Sequence, residues 1–302
     1  MHVFRRTVTL VLSSLTVAAL LASLGCPSAA GKVTPLPPPH SEIRIAMTFS
    51  NPETKDTLEH VIRSCVAIFE TKVAPYPALG PKPIVIGEPP DGQPRADVSN
   101  IKYEYHAWVT RLDSGYYTAN SFELGHELAH NWSGPFRSSL FVESCCTAMS
   151  YICADELAKQ WKYCPPSPKF ASFAANMRAY HDERLVLRAL KNYGMENAGQ
   201  AVAWVKNALP VLVREGKWSR SVEATCAVVI EQILRRHEGR WGALAKLADP
   251  AVTTNDMTDF AKWRSAVTLK QRPLVDDLAA MFDKPLRGIS PNAAAKGTSR
   301  AP

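Results

Sequence analysis

Two histidines four residues apart with a glutamate between them, His126-Glu127-Leu128-Ala129-His130, are suited to hydrolytic chemistry. On a helix, residues i and i+4 share a face, so His126 and His130 can offer imidazole nitrogens to one metal ion. Glu127 is one position on from His126, so it stands beside the ion rather than on it. Zinc in such a setting lowers the pKa of a water and polarises a carbonyl. A carboxylate placed like Glu127 can take that water's proton as general base and pass it to a leaving amine.

A catalytic zinc site needs a third protein ligand and an open position. Glu143 is the first candidate, 13 residues after His130 within Phe141-Val142-Glu143-Ser144-Cys145-Cys146. It opens a long apolar helix, where a bare carboxylate needs a reason. The alternative is a helix-start carboxylate favoured by the macrodipole. Cys145 and Cys146 are rival ligands, although a buried or disulfide-bonded cysteine is the blander reading. Asp155 lies too far down the same helix to compete. Thr147 and Cys146, one turn below Glu143, are candidates to orient a ligand from behind, with core packing as the other reading. A Tyr or His side chain is one kind of donor that can stabilise a tetrahedral oxyanion. Tyr180, His181 and Tyr193 are the candidates, and each also reads as an ordinary amphipathic residue.

These side chains must be held by regular elements. The motif segment has apolar Phe122, Leu124, Leu128 and Ala129 at helical spacing and no proline, which predicts a helix from about Ser121 to Trp132. Trp132 is expected to pack under the motif. Upstream, Ile43 to Met47 alternates and reads as a strand, and Pro83 to Ile86 reads as another. Thr57 to Val73 reads as a helix with Leu58, Val61, Ile62, Cys65, Val66 and Phe69 on one face. Gly87 to Ala96 is turn-rich. Ile101 to Leu112 reads as a longer aromatic strand whose Tyr103, Tyr105, His106 and Trp108 border the cleft. As an edge strand it could pair with an extended peptide; its aromatics could equally be core. Beyond Leu140 the pattern is helical: 140–161, 169–180, 183–193, 198–215, 222–237, a short piece at 241–247, 257–267 and 273–281, with Pro165, Pro166 and Pro168 separating the first two. The fold class expected is α+β, with a small N-terminal mixed sheet, the motif helix, and a mostly helical C-terminal part. The folded domain is expected over 41–285, divided into an αβ part (41–135) and a helical part (136–285).

The N-terminus has the form of an export signal: a basic start (Arg5, Arg6), an uncharged apolar run from Thr7 to Leu24, then Gly25-Cys26. Ser23-Leu24-Gly25-Cys26 fits lipidation of Cys26 as the first mature residue. Cleavage after Ser28-Ala29-Ala30 is the alternative, and a retained membrane helix is a third. Residues 27–40 read as a proline-rich spacer, and 286–302 as a disordered tail. An exported location, periplasmic or at the cell surface with attachment through Cys26, would put six further cysteines in an oxidising space. Their number permits disulfides whose pairing the sequence does not specify.

Across 302 residues the charge is +7, with 46% hydrophobic and 21% charged residues. That balance sustains a globular core. No block of like charges and no basic stripe interleaved with aromatics is present, so nothing points to a nucleic-acid partner.

His126-Glu127-Leu128-Ala129-His130-Asn131-Trp132-Ser133-Gly134 resembles the HELAHxWxG signature of membrane alanyl-aminopeptidases. A glutamate opening the next helix resembles the gluzincin zinc peptidases generally. The shorter gap to Glu143, and Asn131 after the second histidine, are similar to enhancin-like, mucin-degrading peptidases. The resemblance covers residues 100–160 and is specific to the gluzincin group rather than to one family. It implies a zincin-like domain, zinc held by His126, His130 and Glu143, Glu127 as base, and a peptide or protein substrate. The Gly-x-Met-Glu-Asn stretch with which the aminopeptidases hold a free amine is missing between Asp97 and Asn120. Endopeptidase action is therefore favoured over aminopeptidase action. A catalytically weak or inactive surface-anchored binding protein on the same scaffold is the alternative.

Overall fold

The computed structural model describes residues 33–49, 51–89, 91–97, 102–110, 112, 116–134, 139–254 and 257–286. The chain divides into two units, Met1–Thr34 and Pro35–Pro302, and every element below belongs to the second. The expected export signal with Cys26, the first part of the spacer and the tail after Leu286 lie outside the described residues. The end of the spacer is tied down: Leu36 packs on the core, and the His40 and Ser41 amides donate to the two Glu70 carboxylate oxygens at 2.6 and 2.9 Å.

Helix α1 (Pro52–Lys72) starts where Asn51 caps it, its side chain accepting from the Glu53 amide, with Pro52 in the first turn. The six apolar residues expected on one face are fully buried. They share one core with the buried residues of a four-stranded sheet of order β1-β2-β4-β3, formed by Ile43–Ile45 (β1), Ile84–Gly87 (β2), Arg95–Asp97 (β3) and Tyr105–Trp108 (β4). β1, β2 and β4 run parallel, and β3 pairs antiparallel with β4, Ala96 opposite Ala107. The fold is thus α+β with a small mixed sheet.

Two expectations about this sheet need correction. The aromatic strand is only four residues long and lies inside the sheet, so it presents no free edge. Tyr105 is wholly buried, its hydroxyl donating to the Gly80 carbonyl and accepting from the Leu79 amide, while Tyr103 lies outside the strand and is exposed. The edge belongs to β3, which falls partly in the stretch read as turn. A three-residue strand with charged Arg95 and Asp97 has no alternation long enough to register in a sequence pattern.

Helix α2 (Tyr117–Ser133) carries the motif, and α3 (Leu140–Tyr163) is the central helix, buried almost throughout. α4 (Pro168–Ala179) and α8 (Arg220–Arg236) pack on α3, and the helical part is completed by α5 (Leu187–Lys191), α6 (Ala198–Asn207), α7 (Leu209–Arg214), a 3-10 segment (Trp241–Ala248), α9 (Phe260–Ala266) and α10 (Arg272–Leu286). One continuous core runs through the αβ and helical parts. The helix expected over 198–215 breaks at Ala208, because Pro210 lacks the N–H that a continuous helix would use. Conversely, the helices expected at 169–180 and 183–193 are joined by a π-helical turn, Tyr180–Val186. No helix among the described residues is long and apolar enough to cross a membrane.

At the far end of α3 a buried ion network holds the helices together. Asp155 is 1% exposed and meets Arg178, Lys159 at 2.9 Å and Arg235 at 2.6 Å. Burial opposes its ionisation, but Arg235, Lys159 and Arg178 outweigh it and hold the carboxyl at about 2. A carboxyl held below its ordinary value stabilises the fold above that value, near 3.8, and the contribution disappears as pH falls towards 2. Asp155→Asn should cost about 3 kcal/mol in urea unfolding at neutral pH, because Arg178, Lys159 and Arg235 each lose a buried carboxylate partner. The loss should shrink as the pH is lowered from 5 to about 2. An equal loss at every pH would show that the charge is not what Asp155 contributes.

Candidate metal centre

The motif helix is anchored at both ends. Near its start, Glu123 accepts from the Thr110 amide at 2.9 Å and from the Thr110 hydroxyl at 2.7 Å. Near its end the buried Trp132 indole donates to the Ala74 carbonyl at 2.9 Å, under the motif as expected. Gly134 then turns the chain with φ 111°, and a Cβ there would lie 2.6 Å from the Ala248 Cα. The next helix begins at Ser139, whose hydroxyl accepts from the Val142 amide and caps α3. Glu143 therefore stands in the first turn of α3, facing α2.

The contact between these two helices is close because Gly125 has no side chain. A Cβ there would meet the Ser150 Cα at 3.1 Å and the Cys153 Cβ at 3.2 Å. Glycine inside a helix costs about 1 kcal/mol against alanine, so its presence here answers to packing. Gly125 adjoins His126, and the approach it permits brings Glu143 to both histidines.

His126 Nε2 and His130 Nε2 are 3.2 Å apart. Glu143 Oε2 lies 3.3 Å from the first and 3.6 Å from the second. Tetrahedral zinc with ligand bonds of about 2.0–2.1 Å requires donors about 3.4 Å apart. The three atoms already stand at that spacing, and two imidazole nitrogens with one carboxylate oxygen can hold a metal ion. Their side chains keep 10–19% exposure, so a fourth position can remain open to a small molecule. Burial works against charge on both Glu143 and His130. Even so, the two histidines hold the Glu143 carboxyl well below the usual range, and the contacts of His130 with Cys146 and Glu143 raise the imidazole well above its own.

Thr147 and Cys146 each meet one of the histidines. Thr147 Oγ1 is 3.4 Å from His126 Nδ1. Cys146 lies beside His130 and is among the groups that raise its imidazole, and its sulfur lies 3.8 Å from the Ser133 hydroxyl. Glu127 is 5% exposed beside the donors. Burial pushes its carboxyl up against the pull of His126 and His130. The motif helix packs against the edge strand β3.

The three oxyanion candidates are scattered. His181 is buried, with Nδ1 2.6 Å from Asp182 Oδ1 and Nε2 2.8 Å from Glu231 Oε1. Both its nitrogens therefore serve the ion network, and the π-helical turn is what brings it there. Tyr180 is half-buried in the fields of Glu123, Arg184 and Arg188. The Tyr193 ring lies against Trp204, centroids 4.5 Å apart. The rival ligand Cys145 is buried towards Cys146 and Cys226. The sequence reading overlooked Gly125. Its signal was that of a lone glycine inside a helical pattern.

No protein-family model matches the chain, and neither a curated protein nor a solved structure matches it.

Two substitutions probe this arrangement. Gly125→Ala should destabilise the protein by about 1–2 kcal/mol although alanine favours helices, and should weaken metal binding. A rise in melting temperature would show that the helix contact is not tight. Thr147→Val, nearly isosteric, should lower metal affinity about tenfold in competition with a chelator while leaving the circular dichroism unchanged. Unaltered affinity would remove Thr147 from the site.

Proposed function

We propose that this chain is an exported zinc-dependent peptidase of gluzincin type, built on a zincin-like domain and acting on peptide bonds within a chain. The observation that carries the reading is the tetrahedral spacing of His126 Nε2, His130 Nε2 and Glu143 Oε2 with a buried carboxylate, Glu127, beside them. Zinc is the ion that this set of two imidazoles and one carboxylate suits, with a position left open. When bound, zinc polarises the scissile carbonyl and acidifies the attacking water.

The chain's own residues do the rest. Thr147 and Cys146 hold the two imidazoles in place from behind. Glu127 takes the water's proton and delivers it to the departing amine. Its low exposure keeps competing water away. The edge strand β3 offers backbone groups along which an extended substrate can lie, antiparallel or parallel, without regard to its side chains. That mode suits cleavage inside a peptide and makes no use of a free terminus. Export is supported by the N-terminal sequence: a basic start, an apolar run, and Cys26 as the position for lipid attachment.

Glu127→Gln tests the reading. The variant should hold as much zinc as the parent by elemental analysis. Its cleavage of a quenched-fluorescent peptide library should fall at least about 100-fold. Full activity in the variant would displace Glu127 as the base. Zinc bound by the parent with no cleavage of any peptide would favour a binding protein on a peptidase scaffold.

A further inference from the structure

Strand β1 closes one end of the sheet, opposite the end that β3 closes. It pairs in parallel with β2, and the Ile84 amide donates to the Glu42 carbonyl and the Ala46 amide to the Ile86 carbonyl, each at 2.8 Å. In a parallel ladder every second residue of a strand bonds the same neighbour, so Glu42, Arg44 and Ala46 turn their backbone groups towards β2. Ile43 and Ile45 turn theirs outwards, where no strand among the described residues meets them. An edge in this state is a template for a further strand.

The same period of two sorts the side chains. Arg44, Ala46 and Thr48 are exposed, while Ile43, Ile45, Met47 and Phe49 are half-buried on the other face, against the core. They form one wall of a groove of about 200 Å³, and α1 forms the other with Lys55, Glu59 and Arg63 at its rim. Pockets that enclose small ligands measure about 300–1,000 Å³. This groove is smaller, so it suits alternate side chains of a longer partner. A row of large apolar side chains left half-covered is surface that such a partner can bury. The rim adds a charge preference. Lys55 Nζ lies 3.8 Å from Glu59 Oε1, so these two offset each other. Arg63, one turn on from Glu59, is exposed and in no ion pair with any described residue. A second copy of this chain would bring the same cation and a formal charge of +7, so an acidic partner is favoured over self-pairing.

We propose that the groove between β1 and α1 is a docking site for an extended, acidic segment of another protein. The segment joins the sheet beside β1 and bonds the outward backbone groups of Ile43 and Ile45. Its alternate apolar side chains enter the groove, and a carboxylate meets Arg63. Main-chain hydrogen bonds supply the affinity, and the groove and Arg63 supply the preference. The site is at the opposite sheet edge from β3, and it stands independently of the peptidase reading.

The probes are fluorescein-labelled peptides in which valine alternates with serine, with a single glutamate placed at each position in turn. Binding to the full chain carrying Glu127→Gln, which spares the probe from cleavage, is followed by fluorescence anisotropy. The best-placed glutamate should bind about threefold more tightly than glutamine at the same position, as an exposed ion pair allows. Two consecutive prolines at the centre of the peptide should abolish binding, because one of them must face β1 without an N–H. Adding Arg63→Gln, a change at an exposed position, should remove the difference between glutamate and glutamine. Amide hydrogen exchange at Ile43 and Ile45 should slow when the peptide binds, with no change over Arg95–Asp97. No binding at up to about 1 mM peptide would overturn the proposal. So would protection at β3 in place of β1, or a glutamate preference that survives Arg63→Gln. A dimer that protects Ile43 and Ile45 without peptide would give the groove to a second copy and overturn it as well.

Discussion

The metal centre depends on how closely two helices can approach. α2 brings two histidines and α3 brings a glutamate, and neither helix alone holds three donors. Gly125 lets the backbone of α2 reach to within van der Waals contact of Ser150 and Cys153 on α3. Only at that separation can a carboxylate from the first turn of α3 stand 3.3 and 3.6 Å from the two imidazoles. Much else in the fold maintains this approach. Glu123 and Trp132 pin α2 at its two ends, Ser139 sets where α3 begins, and Gly134 seats the end of α2 against Ala248.

The central helix is asymmetric in its electrostatics. Its first turn carries Glu143, a carboxylate that with His126 and His130 could hold a metal ion. Its later turns carry Asp155, a carboxylate fully compensated by Arg178, Lys159 and Arg235. The two show how buried acids are tolerated in different ways: one by fixed cations within the protein, the other by partners that can be exchanged for an ion. His181 belongs to the first group despite its suggestive position in the sequence, because a π-helical turn directs it to Glu231.

The parts that could be read from the sequence were those with local periodicity. The buried face of α1, the motif helix, and α3 running from Leu140 all follow from apolar spacing and proline positions, and so did the α+β class. Glu143 could be singled out because a carboxylate at the head of an apolar helix is locally anomalous. Thr147 and Cys146 followed from it by one helical turn. What could not be read were relations between distant segments. β3 is too short to have a period, so its place at the sheet edge exists only in the fold. Among Tyr180, His181 and Tyr193, residue type alone carried no information about direction.

The central claim is that His126, His130 and Glu143 bind one zinc ion at an open tetrahedral site. Anomalous diffraction at the zinc edge, from crystals of metal-loaded protein, tests it most directly. The expected result is a single strong peak about 2.0–2.2 Å from His126 Nε2, His130 Nε2 and a Glu143 oxygen, with Glu127 outside the coordination shell. No peak at this place, a peak with Cys145 or Cys146 as a ligand, or Glu127 bound directly to the ion would contradict it.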